Sequence, residues 1–186
     1  MIHTNLKFSM AGQQCKTLLI TSASEGEGKS TTAVNLAVSI AQQKEKVLII
    51  DGNVRNPSIH SFFKLDNSAG LTEVVTGRVL FDEAVHHTEI GRLDVLTSGH
   101  IPMNPVELLG SQMMHSLLKE KLIPYDVILI DSCALLEVTD TKLLANQVDG
   151  VILVVQNGKT KFEKAAEVKK VLEFAKAKLV GVVMNQ

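Results

Sequence analysis

Short apolar runs alternate with amphipathic segments along most of this chain. Six runs rich in Val, Ile and Leu stand out, at 17–21, 47–51, 93–96, 126–131, 151–155 and 179–184. A strand that is apolar at nearly every position is typical of a parallel sheet covered on both faces, because neither direction of its side chains meets water. Each run therefore predicts a buried strand.

Helical patterns lie between these runs. We expect helices over 29–43, 105–121, 140–146 and the region of 165–175. In the last of these, the apolar positions keep the spacing of one buried helix face: Ala165, Val168, Leu172 and Ala175. Pro105 is typical of a helix start, because proline at the first helical position gives up no hydrogen bond.

The stretch 57–92 is less regular and predicts only short helical pieces, at 70–76 and 81–86, without a strong strand. Elsewhere the alternation of strand and helix predicts right-handed crossover connections. The fold class is therefore α/β, with a doubly wound, mostly parallel sheet in three α/β/α layers. A length of 186 residues suits one domain, so we expect 1–186 to form a single nucleotide-binding domain.

Composition excludes some classes of function. Lys and Arg total 19 against 20 for Asp and Glu, so the charge gives no reason to expect nucleic acid or an anionic membrane surface as a ligand. No apolar run approaches the roughly 20 residues that span a bilayer. Residues 1–12 lack the pattern of a signal peptide. Cys15 and Cys133 have no CxxC spacing, which predicts a reduced cytoplasmic setting and no zinc site.

A phosphate-binding loop follows the first predicted strand and precedes the first predicted helix. Its sequence is Ser22-Ala23-Ser24-Glu25-Gly26-Glu27-Gly28-Lys29-Ser30-Thr31. The glycines let backbone N–H groups turn toward phosphate oxygens, at a helix N-terminus that favours negative charge. Lys29 can reach the β- and γ-phosphates and the Ser30 hydroxyl can bind magnesium. We therefore expect ATP and Mg²⁺ to bind along Ser24–Thr31, although Ala23 stands where the full pattern has glycine; the alternative is a turn that binds nothing.

Two aspartates stand at strand ends. Asp51 closes the second predicted strand and Asp131 the fourth. The carboxyl ends of parallel strands share one edge of a sheet, so both carboxylates should face the crevice that holds the phosphate loop. Aspartate after four apolar residues is the Walker B arrangement, which predicts that Asp131 holds magnesium. Asp51 could bind magnesium too, or accept a proton from an attacking hydroxyl. The alternative is that each aspartate only caps a turn.

Two further residues complete the predicted site. Arg55 follows Asp51 by four residues and could pair with phosphate or form a structural ion pair. Asn185 follows the last strand, and its amide offers both a donor and an acceptor to an adenine edge; a plain turn role is the alternative. The predicted site thus groups a catalytic set, Lys29, Asp51, Arg55 and Asp131, with a metal set, Ser30, Asp51 and Asp131.

These motifs together resemble one family. The stretches 20–32, 47–57, 93–109 and 125–140 are similar to the bacterial tyrosine kinases of capsule and exopolysaccharide synthesis. Residues 98–109, Ser-Gly-His-Ile-Pro-Met-Asn-Pro-Val-Glu-Leu-Leu, follow the family pattern Ser-Gly-x-x-Pro-x-Asn-Pro-x-Glu-Leu-Leu. The wider deviant Walker group includes partition ATPases, but Ser24 stands where those usually carry a second lysine, which favours the kinases. The resemblance extends from about residue 5 to 185.

The resemblance implies autophosphorylation on tyrosine and phosphorylation of other tyrosine-bearing proteins, with ATP and magnesium. It also implies a cytoplasmic domain recruited to the inner face of the membrane, through a membrane-anchored polysaccharide co-polymerase that activates it. Assembly into a homo-oligomer is a further implication. Nucleic acid is not among the implied partners.

The sequence departs from the family pattern at several places. Asn53 replaces the second carboxylate of the family's Asp-x-Asp-x-Arg motif, and Ser132-Cys133-Ala134 replaces Thr-Pro-Pro after the fourth strand. Asn53 cannot act as a base and binds magnesium more weakly than aspartate. The C-terminal tyrosine cluster and the N-terminal Glu-x-x-Arg-x-x-Arg motif of ring assembly are not found in this sequence, and His3 stands where the last Arg of that motif is expected.

Three hypotheses follow. The leading one is a catalytic tyrosine kinase domain, and the second is a nucleotide-binding regulatory module with little catalysis, motivated by Asn53 and the lost prolines. The third, a partition-type ATPase acting on DNA or membrane, is disfavoured by Ser24 and by the near-zero charge. Tyr125, the only tyrosine, is predicted to pack rather than to accept phosphate. His86 and His87 are predicted to be surface residues that point apart on a helix, not a metal pair.

Overall fold

A computed structural model describes residues 16–186 of the chain. The expectations for residues 1–12, for His3 and for Cys15 therefore lie outside the described residues. The centre of the fold is a sheet of seven strands in the order β3-β4-β2-β5-β1-β6-β7. The strands are β1 (Thr17–Ser22), β2 (Val47–Asp51), β3 (His86–His87), β4 (Leu93–Leu96), β5 (Val127–Asp131), β6 (Gly150–Gln156) and β7 (Leu179–Asn185).

The six apolar runs all form strands, and all of them pair in parallel. β1, β2 and β4 are buried at every position, as expected for strands covered on both faces. The predicted doubly wound α/β class is thus confirmed. Of the described residues, 16–186, none lies in a helix that is both long and apolar enough to cross a membrane.

The short strand β3 was not predicted, and it pairs antiparallel with β4. The helical piece expected over 81–86 ends at Ala84, because Val85 is already extended, with φ −76° and ψ 133°. His87 Nδ1 then lies 2.7 Å from Asp94 Oδ1 across the pair. The expectation that the two histidines lie on a helix is therefore wrong; they point apart because side chains alternate along a strand.

The helices lie between the strands. Their bounds are α1 (Lys29–Ala41), α2 (Ile59–Phe63), α3 (Leu71–Val75), α4 (Phe81–Ala84), α5 (Pro105–Leu109), α6 (Gln112–Ser116), α7 (Asp140–Gln147) and α8 (Phe162–Phe174), with one π-helical turn at Leu117–Lys121. The single helix expected over 105–121 is wrong. It is broken at Gly110, where α5 ends, and it restarts at Ser111, whose hydroxyl accepts a hydrogen bond from Met114 N–H at 3.1 Å.

Two apolar layers cover the sheet. α1 packs Ala33, Leu36 and Ile40 against one face, beside strand residues that include Ile20 and Ile49. The opposite layer contains residues of α7 and α8, among them Leu144, Val168 and Leu172, packed with strand residues such as Leu19, Ile50 and Leu153. Of the predicted α8 face, Val168 and Leu172 are buried, while Ala165 and Ala175 are only partly covered.

This architecture brings the candidate site residues together. β1, β2 and β5 lie side by side, and Asp51 pairs in register with Asp131. Because these strands are parallel, their carboxyl ends open on the same edge of the sheet, where β1 leads into the phosphate loop.

Candidate active site

The phosphate loop runs from the end of β1 at Ser22 to the first residue of α1, Lys29. Gly26 and Gly28 have φ of 71° and 87°, in the left-handed region that favours glycine. Any side chain at Gly28 would also overlap the amide of Asn185. Positive φ favours glycine at both positions, and at Gly28 the close approach of Asn185 adds to that preference.

The loop presents free backbone donors at the start of α1. Within residues 16–186, the N–H groups of Gly26, Glu27 and Gly28 form no hydrogen bond. Lys29 opens the helix and is only 8% exposed, and Ser30 follows it. Unpaired N–H groups together with a helix N-terminus form a site for an anionic group such as phosphate.

Asp131 lies beside this loop and is fully buried at the end of β5. Its Oδ2 accepts a hydrogen bond of 2.6 Å from Ser30 Oγ, whereas its Oδ1 is buried without a partner among the described residues. The pKa of Asp131 is raised to about 7, mainly by burial; the Ser30 hydrogen bond lowers it and the charge of Asp51 contributes to the rise. A buried carboxylate oxygen without a donor is costly unless a cation approaches it.

The Ser30–Asp131 pair therefore fits magnesium. A hydroxyl and a carboxylate are hard oxygen ligands of the kind that Mg²⁺ takes, with water and phosphate oxygens completing its shell. Within 16–186 no group of three or more His, Cys, Asp or Glu side chains could hold a metal ion by itself.

Asp51 lies across the strand pair from Asp131, but its oxygens have other partners. Oδ2 accepts from the N–H groups of Ser58 and Ile59, both at 2.9 Å, and Oδ1 accepts from Asn53 N–H at 3.2 Å. This is the turn-capping geometry that the sequence left open as an alternative. Burial raises the pKa of Asp51 to about 6, although the three N–H donors favour its charged form. Its predicted roles as a base and as a magnesium ligand stay predictions.

Arg55 lies on the outer side of the same turn and forms the structural ion pair. Its Nε and Nη2 donate to the two oxygens of Asp140, at 2.8 and 3.1 Å. Asp140, the first residue of α7, is 1% exposed, whereas the Arg55 side chain is 42% exposed. This hydrogen-bonded pairing raises the pKa of Arg55. A contact of Arg55 with phosphate stays a prediction.

The two departures from the family pattern touch each other. The Cys133 thiol donates to Asn53 Oδ1 at 2.8 Å. Hydrogen bonds hold the loop where the family has prolines: Ser132 Oγ donates to the carbonyl of Ile20, and Thr21 Oγ1 donates to the carbonyl of Cys133 at 2.8 Å. The loop after β5 is thus fixed to β1 by polar side chains.

The remaining predicted residues surround the phosphate loop. Asn185 Nδ2 donates to the Glu27 carbonyl at 3.3 Å. Ser24 N–H donates to Glu27 Oε2 at 3.0 Å, and Glu25 N–H donates to Glu137 Oε1, also at 3.0 Å. Thr31 is exposed in the first turn of α1. The contact of the Asn185 amide with an adenine edge stays a prediction.

Sequence reasoning missed several residues that contact this site. Thr160 Oγ1 donates to Glu27 Oε1 at 2.6 Å, Lys159 Nζ donates to the Gly26 carbonyl at 3.0 Å, and Lys164 Nζ donates to Ser24 Oγ at 2.7 Å. Lys159 and Thr160 lie in the β6–α8 connection and Lys164 lies in the first turn of α8. All three are more than 130 residues along the chain from their partners. Their only signal in the sequence is a position just after an apolar strand, at the edge where parallel strands open.

Comparison with known proteins identifies relatives of this chain. A family model described as an AAA domain matches residues 15–180. The tyrosine-protein kinase YwqD of Bacillus subtilis is 47% identical over 184 residues, which cover 99% of this chain and 78% of that protein.

Solved structures give the same result. The kinase domain of the Escherichia coli tyrosine kinase ETK superposes with a TM-score of 0.95 at 32% identity, covering 99% of this chain and 72% of that one. The chimeric protein CapA2B2 superposes with a TM-score of 0.94 at 38% identity, covering 99% and 81%. These relatives match nearly the whole chain, including the phosphate loop and the Ser30–Asp131 pair. The chain therefore belongs to the bacterial tyrosine-protein kinase family, whose domain has the P-loop nucleotide-binding fold.

Proposed function

We propose that this chain is the ATP- and magnesium-dependent catalytic domain of a protein-tyrosine kinase that regulates capsule or exopolysaccharide synthesis and export. The observation that carries the proposal is the unpartnered, buried Oδ1 of Asp131, next to Ser30 and the unpaired N–H groups of the phosphate loop. The carboxylate oxygen of Asp131 suits a magnesium ion, and the N–H groups of the loop suit the phosphate chain of ATP. Both lie at the same edge of the sheet.

The phosphate loop supplies the binding energy in this proposal. The N–H groups of Gly26, Glu27 and Gly28 hold phosphate oxygens, and Lys29 offsets the charge that develops on the transferring group. Ser30 and Asp131 would hold magnesium, which when bound neutralises charge on the phosphate oxygens.

Asp51 is the proposed base and orienting residue. In the transfer, the tyrosine oxygen forms a bond to the γ-phosphorus, the bond from that phosphorus to the β-phosphate oxygen breaks, and ADP leaves. Asp51 accepts the phenol proton, and its raised pKa of about 6 lies near neutral pH, where a general base is most effective. Its three backbone donors hold the carboxylate in one orientation.

The partners follow from family membership. We expect the phosphorylated tyrosine to belong to another protein or to a homologue that carries a tyrosine-rich tail. We expect activation by the cytoplasmic segment of a membrane-anchored polysaccharide co-polymerase, which would bring this cytoplasmic domain to the inner face of the membrane. A homo-oligomer is the proposed assembly, and nucleic acid is not a proposed partner.

The test is incubation with labelled ATP, magnesium, the activating segment and a tail-bearing acceptor. The expected result is label on tyrosine that disappears in Lys29→Met and Asp131→Asn. Lys161→Met serves as a matched control, because this exposed lysine lies outside the proposed site. Absence of label in both the wild type and Asn53→Asp would contradict the kinase proposal.

A second candidate is a nucleotide-binding regulatory module of the same system with weak catalysis. The observation that favours it is the Asn53 amide, whose Oδ1 accepts a hydrogen bond from the Cys133 thiol where the family pattern has a carboxylate. This candidate predicts tight ATP–magnesium binding by calorimetry with almost no phosphotransfer, and label on tyrosine only after Asn53→Asp. Substantial phosphorylation by the wild type would contradict it.

A further inference from the structure

Three successive carbonyl groups of the phosphate loop are bonded from outside the loop. Lys159 Nζ lies 3.3 Å from the Glu25 carbonyl oxygen and 3.0 Å from that of Gly26. Asn185 Nδ2 lies 3.3 Å from the next carbonyl oxygen, that of Glu27. The donors come from the β6–α8 connection and from the end of β7, far from the loop in sequence.

The direction of these carbonyls fixes the direction of the neighbouring N–H groups. In a planar trans peptide, the C=O of one residue and the N–H of the next point in opposite directions. Holding the carbonyls of Glu25, Gly26 and Glu27 outward therefore turns the N–H groups of Gly26, Glu27 and Gly28 inward. Within the described part of the chain, 16–186, these same three N–H groups form no hydrogen bond.

A buried carboxylate anchors the connection to the loop. Glu27 is 1% exposed, and its oxygens accept from Thr160 Oγ1 at 2.6 Å and from Ser24 N–H at 3.0 Å. Thr160 Oγ1 also accepts from Gln156 N–H at 2.8 Å, at the end of β6. The loop is thereby joined through one hydroxyl to the end of strand β6.

The packing of the glycines supports the same arrangement. A Cβ at Gly26 would lie 2.8 Å from Lys159 Nζ, and one at Gly28 would overlap the Asn185 amide. The two glycines thus leave space for the side chains that contact the carbonyls, in addition to allowing positive φ.

We infer that Lys159 and Thr160, together with Asn185, are positioning residues that hold the phosphate loop ready for nucleotide before it binds. The inference rests on the proposed kinase function, since that function supplies the nucleotide. Without these contacts, the three N–H groups must be oriented during binding, and that cost appears as weaker affinity. ATP and its transition state use the same N–H groups, so the loss raises KM and leaves kcat nearly unchanged.

The test measures KM and kcat for ATP in Lys159→Met and Thr160→Val. Loss of a single polar contact of this kind corresponds to about a five- to tenfold rise in KM, with kcat within about twofold. Lys159→Arg and Thr160→Ser keep the donors and should restore most of the affinity. Lys161→Met removes a lysine of the same connection that does not contact the loop, and should change KM by less than about twofold.

Unchanged KM in both Lys159→Met and Thr160→Val would overturn the inference, and so would an equal rise in KM in Lys161→Met. A fall in kcat with unchanged KM would overturn it too, since that pattern indicates loss of folded enzyme.

Failure of the kinase function is separable, because the nucleotide-free loop can be observed directly. If the wild type binds no ATP, amide NMR spectra of the nucleotide-free protein test whether Lys159 orients the loop. Shifted Gly26 and Gly28 resonances in Lys159→Met, but not in Lys161→Met, would support the inference, and unshifted resonances would overturn it.

Discussion

Replacing Asp131 by Asn should stabilise the nucleotide-free protein at alkaline pH. Burial holds the pKa of Asp131 at about 7 in the folded state, against 3.8 as its ordinary value. Between about pH 4 and pH 7 the folded state keeps a proton on Asp131 that the unfolded state has lost. The free energy of unfolding therefore falls as the pH rises from about 4, and the loss is complete above about pH 7. At about 1.4 kcal/mol per pKa unit, this cost amounts to roughly 4 kcal/mol at pH 8 and roughly 2 kcal/mol at pH 5.

Asparagine removes this cost but introduces a smaller one. Its carbonyl oxygen can still accept from Ser30 Oγ, while its amide N–H groups occupy the place of the unpartnered Oδ1, at a cost of about 1–3 kcal/mol. The amide cost does not change with pH. The difference in unfolding free energy between Asp131→Asn and wild type should therefore rise by about 2–3 kcal/mol from pH 5 to pH 8.

Urea unfolding at pH 5, 6, 7 and 8, without nucleotide and with a chelator present, measures this difference. Asp82→Asn is the matched control, because Asp82 is exposed in α4 and its curve should run parallel to that of the wild type. A difference for Asp131→Asn that stays constant within about 0.5 kcal/mol across this range would refute the reasoning. It would mean that the carboxylate is already ionised and compensated in the folded protein.

Three further predictions concern single contacts. Tyr125→Phe removes the buried donor to Asp94 Oδ2 at 2.8 Å, so urea unfolding should show a loss of about 1–2 kcal/mol while label on an added acceptor is unchanged. Gly28→Ala places a side chain at φ 87°, so thermal unfolding should show a loss of about 1–3 kcal/mol and calorimetry weaker ATP binding. Arg55→Ala leaves the buried Asp140 unpaired, so chemical unfolding should show a loss of about 1–2 kcal/mol, limited by the partial exposure of Arg55. For each of the three variants, an unchanged free energy of unfolding would contradict the role given to the altered residue.

The sheet could be predicted from the sequence because its evidence is local. Each strand is an apolar run whose side chains face two covered surfaces, and the run itself carries that information. The short strand β3 could not be predicted in this way, since two histidines carry no apolar pattern and their strand exists through pairing with β4. The break at Gly110 was missed for a related reason: the apolar spacing continues through it, and the new helix start depends on the hydroxyl of Ser111.

The residues of the candidate site also differ in whether local sequence predicts them. Lys29, Ser30 and Asp131 were predictable, because the phosphate loop and the Walker B strand are short motifs on adjacent elements. The partner of Arg55 was not, because Asp140 lies 85 residues away. Nor were Lys159 and Thr160, which reach the loop only because β6 lies beside β1 in the sheet. A motif identifies the groups proposed to bind phosphate, whereas the side chains that contact those groups are brought in by the topology of the sheet.

The contact between Asn53 and Cys133 connects the two departures from the family pattern. The pKa of the Cys133 thiol is raised to about 11, mainly by burial and in part by the charge of Asp140, so the thiol stays protonated and can donate to the amide. A carboxylate at position 53 would add negative charge beside Cys133, in the loop that follows Asp131. Asparagine avoids that charge, and under the proposed function it would also be a weaker magnesium ligand than aspartate.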